Sequence, residues 1–192
     1  MSDAEFPRYT IVIPAYNEES RITQPLIRYA EEFTDSEILV VLNGCTDRTA
    51  EKVRNVAERY AHVVPLDIAE PLGKGGAIRV GFHLARANAI GFVDADGSTP
   101  PEELRRLFEH LHAADAVIGS RWHPDSIVDI AQPIMRRVAS RCFNLIVRIL
   151  LGLSYSDTQC GAKVFRKDAL KQVLSNRPLK NLLPARPMAA TI

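Results

Sequence analysis

The chain has no apolar run approaching the ~20 residues that a bilayer-spanning helix needs, so it is not expected to cross a membrane by itself. It also has no Cys-x-x-Cys pair. Its three cysteines, Cys45, Cys142 and Cys160, are odd in number and scattered, which argues for packing groups over ligands or a disulfide framework and fits reduced thiols in a cytoplasmic setting. There is no excess charge of either sign: the net charge is +1, which gives no support to a general nucleic-acid binder. Met1 to Arg8 lacks the basic and then apolar order of a signal peptide, so none is expected. His62, His83, His110, His112 and His123 lack metal-ligand spacing and read as structural or surface groups.

What is present is an ordinary globular composition, 46% apolar and 24% charged over 192 residues, enough for one domain with a substantial core. The β-branched run Tyr9–Ile13, closed by Pro14, predicts a first strand. From Ser20 to Phe33 the spacing of Ile22, Leu26, Tyr29, Ala30 and Phe33 predicts a helix, with Pro25 tolerated near its start. Glu37–Leu42 predicts a second strand, and a helix capped by Thr46 or Asp47 should run to Tyr60 with Ala50, Val53, Val56, Ala57 and Tyr60 inward. Val63–Leu66 predicts a third strand and Ala77–Asn88 a third helix. Alternating strands and helices imply a mostly parallel sheet with right-handed crossovers, an α/β fold. One domain is expected over residues 1–175; 176–192 carries three prolines without periodicity and reads as an irregular tail.

Chemistry-bearing residues fall where these strands end. The apolar run Ala89–Val93 leads into Asp94-Ala95-Asp96-Gly97, which places two carboxylates at a strand's C-terminal end, the edge where open α/β sheets bind ligands. A turn at Ala95 would converge both acids on one hard cation; the plainer alternative is a pair of turn acids. Thr99 with Glu102 predicts a capping box for a helix from Pro101 to His112. Glu70 to Gly76 is a glycine-rich helix start carrying Lys74. It has neither Walker nor Gly-x-Gly-x-x-Gly spacing, but its backbone N–H groups and positive dipole end suit a phosphate. Ala116–Gly119 predicts a further strand. Ile134–Leu151 interleaves Met135, Val138, Leu145 and Ile149 with Arg136, Arg137, Arg141 and Arg148. That pattern serves either an anionic lipid surface or an ordinary solvated face. A strand-like ending near Val164-Phe165 and a helix from Asp168 to Leu174 follow.

In this order, Pro-Ala-Tyr-Asn-Glu, Asn-Gly-Cys-Thr-Asp-Arg-Thr, Gly-Lys-Gly-Gly-Ala-Ile-Arg, Asp-Ala-Asp-Gly-Ser-Thr, Gly-Ser-Arg-Trp and Asp-Thr-Gln-Cys-Gly-Ala-Lys resemble family 2 glycosyltransferases of the GT-A fold. Within that family the chain is most similar to dolichyl- and polyprenyl-phosphate hexose synthases, over about residues 8–172. The resemblance implies a GT-A, Rossmann-like sheet flanked by helices. It implies a nucleotide-sugar donor bound by Pro14, Ala15, Tyr16, Glu18, Asn43, Asp47, Lys74, Asp94, Ala95 and Asp96, with Asn43 standing where many relatives carry aspartate. Asp94 and Asp96 match the Asp-x-Asp ligands of a Mg2+ or Mn2+ ion, while Ser98 stands where mannosyl-phosphate synthases often carry a glutamine. Arg121, Arg136, Arg137 and Ser140 match positions near the acceptor phosphate, and Arg121 and Arg137 are carried over with the two aspartates as catalytic.

The implied reaction moves a hexose with inversion onto a polyprenyl or dolichyl phosphate, by a protein peripheral to the cytoplasmic membrane face. UDP-glucose is the implied donor and GDP-mannose the alternative. After the strand near Phe165, relatives continue through an acidic segment resembling Phe-Asp-Val-Glu that is not found here, which implies a C-terminally shortened chain. A non-catalytic remnant that binds nucleotide sugar therefore stands as another reading. A nucleotidyltransferase is disfavoured, because Pro14-Ala15-Tyr16 replaces the glycine-rich loop expected after its first strand.

Overall fold

A computed structural model describes residues 6–119 and 161–175. Six strands form one sheet in the order β3-β2-β1-β4-β6-β5: β1 (Thr10–Ala15), β2 (Glu37–Asn43), β3 (Val63–Ile68), β4 (Ala89–Phe92), β5 (Ala116–Ile118) and β6 (Lys163–Arg166). The first four run parallel, and β6 enters antiparallel between β4 and β5. The five α-helices described are α1 (Thr23–Glu32), α2 (Thr49–Ala57), α3 (Gly73–Leu84), α4 (Pro101–His110) and α5 (Lys167–Ser175).

Alternation along the buried strands divides the core between the two faces of the sheet. Ile11, Ile13, Ile38, Val40 and Leu42 pack against α1, α2 and α4 through Leu26, Tyr29, Phe33, Val53, Leu104 and Phe108. Val12, Val41, Ile90 and Phe92 point the other way, toward Ala77 and Phe82 of α3 and Leu170 of α5. Both faces are thus covered, which is why β1 and β2 read as unbroken apolar runs. Every residue expected on the inner face of α1 is essentially inaccessible to solvent, each large one contributing about 1.5–3 kcal/mol. Tyr9 stacks on Phe108 at 4.0 Å between ring centroids, and Phe33 meets Phe108 edge-on at 6.2 Å, tying α1 and α4 to the sheet.

Four expectations are corrected. Pro14 does not close β1, which runs on to Ala15 with Pro14 opposite Val41. The ladder with β4 reaches only to Val12, so a residue without an N–H fits beyond it. The glycine-rich stretch is not a loop before α3: the helix begins at Gly73 and ends at Leu84. The Thr99–Glu102 capping box does not form. Pro100 is the N-cap, with no side-chain cap bond, and the Thr99 carbonyl instead accepts the Tyr29 hydroxyl at 3.0 Å. Finally, α2 stops at Ala57 rather than Tyr60.

Candidate functional site

The chain leaves β1 for β2 on one side and returns from β3 through α3 to β4 on the other, so the strand order reverses between β1 and β4. At such a switch point the connections diverge and leave a crevice at the strands' C-terminal ends. A cavity of about 400 Å³ lies there, lined by Pro14, Ala15, Tyr16 and Glu18 after β1, Asn43 at the end of β2, Pro71, Gly73 and Lys74 before and within α3, and Asp94, Ala95 and Asp96 after β4. Of the ten expected donor-site residues, the cavity gathers all but Asp47.

Asp47 instead ties two loops together. Its carboxylate accepts from the Glu19 N–H at 3.1 Å and the Thr49 N–H at 2.9 Å. Burial works to raise this carboxyl, but the Thr49 hydroxyl and the Thr49 and Glu19 N–H groups outweigh it and hold the group below the usual carboxylate range. Around it, the Glu18 N–H donates to the Thr49 hydroxyl at 2.7 Å, Asn17 Oδ1 accepts the Thr46 N–H at 2.9 Å, and Lys52 Nζ donates to the Glu19 carbonyl at 2.7 Å. Asn17 sits at φ 53°, a left-handed conformation that Asn tolerates better than most residues. Buried Asn43 accepts the Leu72 N–H at 2.8 Å, so its amide fixes the approach to α3 from the floor of the cavity.

Both acids line the cavity because β4 ends at Phe92 and the chain turns at Ala95 and Asp96. Gly97 takes φ +72°, and a Cβ there would lie 2.7 Å from Pro25 Cγ, so the turn needs glycine for both conformation and space. Asp96 Oδ1 accepts the Ser98 N–H at 3.0 Å. Lys74 Nζ lies 2.5 Å from Asp94 Oδ1. The other Asp94 oxygen lies against Gly161, at the approach to β6, where any Cβ would collide with it. The buried Tyr29 hydroxyl, pushed well above its usual pKa first by burial and then by the charge of Glu102, with Asp94 and Asp96 adding to it, remains a neutral donor holding the Thr99 carbonyl below this turn. Arg21, paired with Glu18, also feels the field of Asp96.

Among the described residues no group of three His, Cys, Asp or Glu side chains converges as a metal cage. Two carboxylates at the mouth of a cavity nevertheless suit Mg2+ or Mn2+, hard ions that complete their shell with water and a ligand's phosphate oxygens. The residue-by-residue reading missed Asn17, Arg21, Tyr29, Thr49, Pro71, Gly73 and Gly161. Asn17, Thr49, Gly73 and Gly161 lie within the motifs that carry the resemblance and Pro71 just before one of them, whereas Arg21 and Tyr29 had no such signal. Arg121, Arg136, Arg137 and Ser140 lie outside the described residues, as do Cys142 and Cys160.

The sequence profile of glycosyl transferase family 2 matches residues 10–174. The chain belongs to this family. A dolichyl-phosphate beta-glucosyltransferase of Trichomonas vaginalis is 33% identical over 184 residues, covering 88% of this chain and 56% of its own. The undecaprenyl-phosphate mannosyltransferase of Micrococcus luteus is 34% identical over 169 residues, covering 86% and 69%. Among solved structures, the mannosyltransferase PcManGT of Pyrobaculum calidifontis, in complex with GDP-Man and Mn2+, superposes with a TM-score of 0.61 at 20% identity, over 88% of this chain and 47% of its own. This family 2 chain has the GT-A fold, and it spans about half the length of most of these proteins. Among its described residues no helix is long and apolar enough to cross a membrane.

Proposed function

We propose that this family 2 chain binds a nucleoside diphosphate sugar in the β1/β4 cavity and transfers the hexose to a polyprenyl or dolichyl phosphate, with UDP-glucose as donor. The observation that carries this reading is the convergence of Asp94, Asp96 and Lys74 beside Tyr16 in one cavity at the switch point. Tyr16 is half exposed there, an aromatic surface on which a base can lie. Asn43 and the Pro14–Glu18 loop would flank base and ribose. Lys74, in the first turn of α3, adds a full charge to the dipole end that faces the diphosphate. Asp94 and Asp96 would hold Mg2+ or Mn2+, which supplies neutralisation of the diphosphate as the nucleotide departs.

In the proposed step the bond from the sugar's C1 to the donor phosphate oxygen breaks and a bond from C1 to the acceptor phosphate oxygen forms, with inversion; UDP leaves. The acceptor oxygen is already anionic near neutral pH, so no strong general base is required. Arg121, Arg136, Arg137 and Ser140 are proposed for the acceptor, because guanidinium forks suit phosphate oxygens. The same basic and apolar stretch is proposed to rest on the cytoplasmic membrane face. GDP-mannose is the second reading, favoured by the similarity to the Micrococcus luteus mannosyltransferase.

The test is equilibrium binding of UDP-glucose and GDP-mannose to the purified chain, with Mn2+ and again with chelator, followed by transfer of labelled sugar to polyprenyl phosphate. Metal-dependent binding of UDP-glucose that is lost in Asp96→Ala is expected. Preference for GDP-mannose would change the donor. Binding without transfer would mark the chain as a donor-binding remnant, and binding unchanged in Asp96→Ala would remove the metal assignment.

A further inference from the structure

Of the two acids that follow β4, Asp94 has its carboxylate paired with a lysine, and it is approached on both sides. Oδ1 is paired with Lys74 Nζ at 2.5 Å, and Oδ2 is confined by the backbone of Gly161. Asp96, by contrast, accepts among the described residues from the Ser98 N–H, an interaction that leaves its remaining lone pairs available. The Asp94 carboxylate has little room to shift toward Gly161, where it already lies so near the backbone that no Cβ would fit between them. Lys74 is free to move: it is 57% exposed, on a flexible four-carbon stem, in the first turn of α3. An ammonium and a divalent cation a few ångströms apart also repel each other, so the two compete for one oxygen.

We infer that Lys74 occupies the metal's place on Asp94 when no nucleotide is bound, and that a nucleoside diphosphate draws it off. Lys74 thereby couples metal binding to diphosphate binding, so that the bare cation binds weakly and the cation with a nucleoside diphosphate binds well. Asp94 exchanges one cation for another, while the lysine charge passes to the phosphate oxygens. The coupling is reciprocal: Mn2+ must favour the nucleotide by the same factor by which the nucleotide favours Mn2+. The role assigned to Lys74 is that of a positioning residue that sets the order of loading. This inference rests on the proposed metal and diphosphate site.

The experiment is titration of Mn2+ by electron paramagnetic resonance, alone and with saturating UDP, into the wild-type chain, Lys74→Met and Lys74→Arg. Thermal unfolding is recorded to confirm that each variant is folded. Lys74→Met should bind Mn2+ alone about tenfold more tightly than wild type, a difference of about 1.4 kcal/mol. Its gain on adding UDP should shrink by at least that factor, and Lys74→Arg should restore the wild-type pattern by supplying a cation to Asp94. Equal or weaker binding of Mn2+ alone by folded Lys74→Met, with UDP-dependent Mn2+ binding intact in wild type, overturns the inference and leaves the site standing. Absence of Mn2+ binding in wild type and variants alike, even with UDP, overturns the site and the inference together.

Discussion

Gly161→Ala tests how the sheet positions the site. A Cβ at this position would lie 2.9 Å from Asp94 Cγ and nearer still to Oδ2, where carbon contacts relax to roughly 3.5 Å or more. A shift of about half an ångström or more is therefore forced, and the question is which side yields. The β6 side is anchored by Ala162 and Val164, both buried in the core, and by the pairing of Gly91 with Val164. The Asp94 side chain is 28% exposed and is paired with an exposed lysine, so the carboxylate is the cheaper group to move. Overpacking a rigid core costs about 1–3 kcal/mol; here most of that relaxes into solvent, and the loss of stability should stay under about 1 kcal/mol. Displacing one of two carboxylates should weaken Mn2+-dependent UDP binding about tenfold, or about 1.4 kcal/mol. Urea unfolding and calorimetric titration of UDP with Mn2+ read the two quantities separately. A loss of several kcal/mol in stability with UDP binding intact would refute the reasoning, since the sheet and not Asp94 would then have given way.

Tyr29→Phe removes the donor to the Thr99 carbonyl while keeping the ring, and should cost about 1 kcal/mol, read as a lower urea midpoint with modestly weaker Mn2+-dependent UDP binding. Because the Tyr29 pKa is raised on folding, the stability this hydroxyl contributes is complete below its unfolded value of ~10 and declines only as pH rises above it; a wild-type minus Phe difference that fell between pH 7 and 9 would contradict this. For Asp47 the sign is opposite. Its folded pKa is depressed, so its contribution is present above the unfolded value of ~3.9 and is lost as pH falls below it. Asp47→Asn, which keeps one acceptor but no charge, should lower stability at pH 7 and bring the variant closer to wild type near pH 3, as measured by chemical unfolding at both pH values.

The elements that could be read from residues are those whose signal is local and periodic. Ile22, Leu26, Tyr29, Ala30 and Phe33 mark one helical stripe, and all are buried. The runs in β1 and β2 are apolar on both faces because helices cover both. Failures occur where a local rule met a tertiary one. Pro14 reads as a strand end, yet it lies where β1 has lost its β4 neighbour and no N–H is required. Thr99 and Glu102 spell a capping box, but α4 starts one residue later with Pro100 as its N-cap, and the Glu102 carboxylate lies 3.5 Å from Arg28. The carboxylate that would have closed the box is thus turned to an arginine of α1.

The site follows the same division with one difference. Asp94, Asp96 and Lys74 stand out by residue type, because carboxylates at a strand end and a lysine among glycines are chemically conspicuous. What supports the cavity around them is not conspicuous at all: a glycine before the antiparallel strand that abuts Asp94, a tyrosine in the middle of an apolar helix stripe, and a threonine at the start of α2 that holds the loop after β1. Each acts through contact with a segment remote in sequence, and each has an adequate local explanation as a turn, core or helix-start residue. Gly161 shows the consequence most clearly. It contributes no side chain, yet it closes the space behind Asp94 and leaves Lys74 as the movable neighbour. The chemistry of the cavity is carried by the parallel half of the sheet, and its geometry depends on the antiparallel strand inserted beside it. A chain that kept every acid and lysine but lost the β6 approach would retain the recognisable motif and lose the wall against which Asp94 is set.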